Sequence, residues 1–191
     1  MNILIAAVGG QGALMASRIL GSLAQELDYE IKVSEVHGMS QRGGSVVTYV
    51  KFGPKVYSPV IEKGTADIIL AFEKLEGARY IAYLKSGGTL IVNTQEIAPM
   101  PVIVGQAVYP TRLFEDMNQM DINVIPADAL SLAKDAGNVR SVNVVLIGML
   151  AAILNIDKAL WIKALQKIIP AKLYDINLKA FESGFTYRNK I

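Results

Sequence analysis

Apolar residues fill positions 3–8 without a break, the pattern of a strand covered on both faces of a sheet. From Gly12 the period changes: Ala16, Leu20, Leu23, Ala24 and Leu27 recur at helical spacing, so a helix follows a glycine turn directly. Further strands are read at 31–36, 45–52, 66–72, 88–93 and 121–127, with helices near 74–85 and 111–119 between them. The last third is helical, in segments 128–136, 141–154, 158–168 and 172–184, the third of them starting after an Asp157 cap and ending at Pro170. This succession predicts a three-layer α/β/α domain with a Rossmann-like, mostly parallel sheet and the helical C-terminal third packed over one face. No repeat, low-complexity tract or linker interrupts the chain, so residues 1–191 are read as one domain.

Composition narrows the classes of function. A chain of 191 residues that is 52% hydrophobic can bury a full core. Its 19 basic and 17 acidic residues leave a formal charge of +2 with no basic block, which implies neither a nucleic acid nor a membrane surface as partner. With no cysteine, the chain holds no disulfide, no thiolate-bound iron–sulfur cluster and no Cys-type zinc site, so any redox metal belongs to another polypeptide. The apolar N-terminal run has no basic flank or small-residue cleavage site and reads as a first strand, from which a cytoplasmic location is expected. The longest apolar stretch, Val144 to Leu154, falls well short of the roughly 18 residues that span a bilayer.

Two loops carry candidate chemistry. Ala7-Val8-Gly9-Gly10-Gln11-Gly12 has the spacing of the dinucleotide fingerprint G-x-G-x-x-G with alanine in the first place. Glycines there let backbone N–H groups approach an anion at a helix N-terminus. Glu35 lies 23 residues beyond Gly12, near where such folds keep an acidic residue for a ribose hydroxyl. The same pattern also fits a tight strand-to-helix turn that needs small residues only for packing. The second loop places His37, Ser40, Gln41 and Arg42 among Gly38, Gly43 and Gly44, at a strand end expected to border the same crevice. Glu73 and Asn93 stand at two further strand ends, where each is either a ligand contact or a cap. His37 is the only histidine, which rules out a His-ligand metal site and leaves it the roles of fixing the loop or touching a ligand or subunit.

At these residues the chain resembles a known family. The segments AAVGGQGALMASRIL, SEVHGMSQRGGSVVTYVKFG, YSPVIEKGTADIILAFEKLEGARY and NLKAFESGF are similar to the gamma-type domain of the 2-oxoacid:ferredoxin oxidoreductases, nearest its indolepyruvate branch, and EVHGMSQRGG is the most specific of them. The resemblance implies a subunit of a hetero-oligomeric enzyme that decarboxylates a 2-oxoacid to an acyl-CoA and passes two electrons to ferredoxin. It implies that thiamine diphosphate, Mg2+ and the iron–sulfur clusters sit in a larger partner subunit, and that coenzyme A enters as co-substrate. The lack of cysteine agrees independently, and the chain shows no carboxylate cluster for the thiamine metal. On this reading the isolated chain is expected to bind no cofactor and to have no catalytic residue and no activity, and whether it pairs as a homodimer stays open. Arg42 and the Gly9 to Gly12 turn would stand near negative groups of coenzyme A, or both loops would dock the partner. A stand-alone NAD(P)- or FAD-binding protein and a non-enzymatic ligand-sensing scaffold remain open as other classes.

Overall fold

The computed structural model describes residues 1–38, 40 and 42–188. Its centre is a six-stranded sheet in the order β2-β3-β1-β4-β5-β6, formed by β1 (Asn2–Val8), β2 (Glu30–His37), β3 (Ser45–Gly53), β4 (Ala66–Ala71), β5 (Leu84–Asn93) and β6 (Asn123–Ala127). β1, β4, β5 and β6 pair in parallel, while β3 runs antiparallel to both β1 and β2. The sheet is therefore mixed, with β3 alone reversed. Hydropathy explains the order. β1 is apolar at nearly every position and sits centrally, whereas EIKVSEVH alternates and its strand is exposed along most of its length at the edge.

This order departs from a dinucleotide-binding unit, in which the strand after the first helix lies beside the first strand. Here β3 separates β1 from β2, because the glycine-rich loop 38–44 turns the chain back as a hairpin and β3 takes the place beside β1.

On one face of the sheet Ile3, Ile5, Ile68, Leu70 and Ile91 pack under α1 (Ala13–Glu26) and the C-terminal helices α5 (Ala129–Asp135), α6 (Val142–Ile153), α7 (Lys158–Ile168) and α8 (Ala171–Arg188). On the other, Leu4, Ala6, Val47, Ile69 and Leu90 pack under a thinner layer that includes α2 (Lys74–Tyr80) and α4 (Leu113–Met117). Side-chain caps start the helices where the sequence places them: Asp157 accepts from the Ala159 N–H at 2.9 Å and Asp128 from the Ser131 N–H at 3.0 Å. Three boundaries differ from expectation by four or five residues, one being the end of α8, which runs to Arg188. The helix expected over 74–85 stops at Tyr80, and β5 begins at Leu84, because Leu84 already pairs with Ala66 before an irregularity in the ladder. A short helix, α3 (Met100–Ile103), stands in the connection from β5 to α4 and has no counterpart in the pattern. No described helix is long and apolar enough to cross a membrane.

Candidate functional site

The glycine turn sits at the carboxyl end of β1, in the middle of the sheet. Gln11 holds it: its side-chain Oε1 accepts from the Val8 N–H at 2.8 Å and its Nε2 donates to the Phe72 carbonyl at the end of β4 at 3.0 Å. Gly10 and Gly12 adopt φ of +106° and +86°, which side chains rarely tolerate. Gly12 also caps α1, and a Cβ there would stand 2.6 Å from Asn143 Nδ2, so the start of α6 presses directly on the turn. Asn143 Nδ2 donates to the Gly12 carbonyl at 3.2 Å.

Beside this contact lies an open cleft of about 620 Å³, lined by Gly10, Gln11, Gly12, Gln95 and Ile97 together with Arg140 and Asn143. The first turn of α1 carries no acidic residue, so its positive dipole end is uncompensated by the helix itself. An exposed guanidinium, a glycine backbone and a helix N-terminus make this cleft suited to a phosphate-bearing ligand. Arg140 and Asn143 were not among the sequence candidates, since only the fold brings them to a turn some 130 positions earlier. The polar stretch Asn138 to Asn143 at the head of an otherwise apolar helix was the one signal available.

The loop after β2 meets the turn through backbone. Gly9 N–H donates to the Gly44 carbonyl at 2.8 Å, and Gly43 N–H to the Gly9 carbonyl at 3.1 Å. The two loops thus share one edge of the sheet, yet they line separate spaces. Arg42, Gly43 and Gly44 face a second groove of about 430 Å³, closed on its far side by Pro99 to Ile103. Its wall includes the buried Glu76, which accepts from Ser45 Oγ at 2.5 Å and from Arg79 Nε at 3.2 Å. Ile97 lines both spaces, so the single crevice expected from the sequence is two.

The remaining candidates fall elsewhere. Glu35 is exposed on β2 opposite Thr48, which itself pairs with Ile5, so β3 stands between Glu35 and β1 and the nearest β1 residue, roughly 10 Å away at two strand spacings, is four positions short of the turn. It cannot serve as the ribose ligand that the fingerprint requires, and the dinucleotide reading loses its second element. His37 ends β2 opposite Val46 instead of lying in the loop, with Nδ1 3.0 Å from the Gly38 carbonyl. Ser40 Oγ donates to the Arg42 carbonyl at 2.7 Å, and Gln41 lies outside the described residues.

Glu73 and Asn93 are buried and serve the scaffold. Glu73 caps α2 by accepting from the Glu76 N–H at 2.8 Å, and also accepts from the Ile97 N–H at 3.0 Å and the Tyr109 hydroxyl at 2.6 Å. Burial, and then the bond to Glu73, push the Tyr109 hydroxyl well above the usual tyrosine range, so it remains a donor. Asn93 donates to the Phe72 carbonyl at 3.0 Å and accepts from the Ala129 N–H at 3.2 Å, joining the end of β4 to the start of α5. Among the described residues no group of three or more His, Asp or Glu is placed to hold a metal ion.

The family model described as pyruvate ferredoxin/flavodoxin oxidoreductase matches residues 2–187. The chain is 44% identical over 190 residues to indolepyruvate oxidoreductase subunit IorB of Pyrococcus horikoshii, covering 96% of this chain and 93% of that one. Its fold is similar to the gamma subunit of a keto/oxoacid ferredoxin oxidoreductase from Geobacter sulfurreducens, with a TM-score of 0.75, 24% identity and coverage of 100% and 99% of the two chains. It also matches part of 2-oxoglutarate:ferredoxin oxidoreductase from Magnetococcus marinus, solved with 2-oxoglutarate, coenzyme A and succinyl-CoA bound, with a TM-score of 0.78, 19% identity and coverage of 100% of this chain and 31% of that one. The model match spans nearly the whole sequence and the Pyrococcus relative nearly all of both chains, and the chain belongs to the gamma-type domains of the pyruvate ferredoxin/flavodoxin oxidoreductase family.

Proposed function

We propose that this chain is the accessory, non-thiamine-binding subunit of a cytoplasmic indolepyruvate or aryl-pyruvate:ferredoxin oxidoreductase, and that its glycine-turn cleft holds the phosphates of coenzyme A. The overall reaction takes a 2-oxoacid and coenzyme A to an acyl-CoA and carbon dioxide, with two electrons passing to ferredoxin. The larger subunit would hold thiamine diphosphate, Mg2+ and the iron–sulfur clusters, which supply the decarboxylation and the electron relay. The observation that carries the reading is that Arg140 and the Gly10 to Gly12 backbone line one cleft, in a chain without cysteine. The names of its relatives and the coenzyme A in the Magnetococcus structure support the substrate class.

This reading gives the two arginines different tasks. Arg140→Ala should raise the coenzyme A dissociation constant roughly ten- to a hundredfold, the effect of losing one charge-assisted contact of about 1.5–3 kcal/mol. Pantetheine, which lacks the nucleotide phosphates, should bind both forms alike. Arg42→Ala should leave coenzyme A affinity unchanged, since its groove lies on the other side of Ile97, and weaken assembly with the larger subunit. Titration calorimetry of the assembled enzyme reads the first pair and an equilibrium binding assay the last. Equal affinity of Arg140→Ala and wild type for coenzyme A would remove the cleft from the reading.

A further inference from the structure

Residues 97–111 form a run of fifteen without a charge, IAPMPVIVGQAVYPT, in the connection between β5 and α4. Ion pairs mark both ends: Lys74 with Glu96 at 2.6 Å and Arg112 with Glu115 at 2.6 Å. Between them Met100, Ile103, Val104 and Val108 are exposed at 66, 65, 56 and 87%. A contiguous apolar crest of this kind is unusual on a free surface and marks an interaction site. Nor is it a loose loop. Glu73 pins it at two points through the Ile97 N–H and the Tyr109 hydroxyl, and Tyr109 Oη accepts in turn from the Leu75 N–H at 3.2 Å. The crest is presented in one shape, which lowers the ordering cost of binding.

We infer that this strap is the apolar centre of the contact with the larger, catalytic subunit, which meets it with an apolar patch bearing a carboxylate for Arg42. The inference rests on the accessory-subunit reading. Two observations select this occupant. The strap shares Ile97 with the coenzyme A cleft, so a protein seated on the crest lies alongside the cleft mouth, where a catalytic centre receiving the thiol must be. The groove under the strap is walled by Arg42 and Arg79, the first exposed and in no ion pair among the described residues, the second half-exposed beyond its bond to Glu76. A second copy of the chain would bring guanidinium groups of like charge together at the same contact, whereas a carboxylate-bearing partner complements them.

The test is the double variant Met100→Asp/Ile103→Asp, both changes on exposed side chains that leave the core intact. Its dissociation constant for the larger subunit should rise by about a hundredfold, as expected when two central apolar anchors become charged. The circular dichroism and thermal melt of the isolated variant should match wild type, which shows that it is folded. The control Tyr57→Asp alters a side chain 86% exposed on the connection after β3, at the opposite end of the strands, and should bind the partner normally. Partner affinity of the strap variant equal to wild type overturns the inference and leaves the accessory reading standing. So does loss of self-association in sedimentation with partner affinity retained, which would make the occupant a second copy. If the wild-type chain does not bind the larger subunit, the reading and the inference fall together.

Discussion

Gly184→Ala melts roughly 4 to 8 °C below the wild-type chain. At this position a Cβ would stand 1.9 Å from the Val145 carbonyl oxygen and 2.8 Å from its carbon. At the reciprocal position, Gly148, a Cβ would stand 2.1 Å from the Phe181 carbonyl oxygen. α6 and α8 therefore cross backbone to backbone, and the obstructing atoms cannot rotate aside as a side chain would. Two effects oppose each other. Alanine gains about 1 kcal/mol over glycine in a helix interior. Overpacking against a fixed neighbour costs about 3 kcal/mol at the upper end of the usual range. α6 is buried on nearly every side, so it has no room to back away, and the clash outweighs propensity by about 2 kcal/mol. At this chain length that is the shift stated above. Gly53→Ala, where a Cβ meets nothing within 4 Å, should change the melt little. A Gly184→Ala melt at or above wild type would show that the helices do not meet at this distance.

Glu73→Ala is expected to cost about 3–4 kcal/mol in urea unfolding and to free the strap. The substitution removes one helix cap, worth about 1 kcal/mol. It also strips the Ile97 N–H and the Tyr109 hydroxyl of their acceptor, each lost partner costing about 1–3 kcal/mol where water cannot fully replace it. Both groups are only partly buried, which keeps the sum below the maximum. Glu73→Gln retains an oxygen acceptor in the same shape and should lose about half as much. Hydrogen exchange distinguishes a local from a global effect: amides of 97–112 should exchange faster in Glu73→Ala than those of β1 and β4. Uniform protection along the chain, or a stability change within about 0.5 kcal/mol, would contradict the role of Glu73 as the strap's anchor.

The strands and most helices were legible because the apolar pattern is strong: a continuous run for the buried β1, helical spacing from Gly12, and an Asp157 cap that the structure places where the sequence does. β2 was located correctly, but its alternation, the mark of an edge strand, did not reveal that β3 would stand between it and β1. That one topological step moved Glu35 away from the turn. Strand-end positions of Glu73 and Asn93 were likewise visible, while the direction of each side chain, inward to backbone groups, depends on neighbours far along the chain. The same limit hid Arg140 and Asn143 from the cleft and the Gly148–Gly184 crossing from the core. α3 escaped because it is a single turn, too short to show a period, with Pro99 just before it and Pro101 in its second position.

The most direct test of the account is reconstitution with indolepyruvate, coenzyme A and ferredoxin, following acyl-CoA formed and electrons delivered. The chain alone, supplied with thiamine diphosphate, should do neither; the larger subunit alone should form little acyl-CoA; mixing the two should restore both products and a saturable dependence on coenzyme A. Turnover by this chain in isolation, or a larger subunit that reaches the full rate with an unchanged Michaelis constant for coenzyme A without it, would contradict the account.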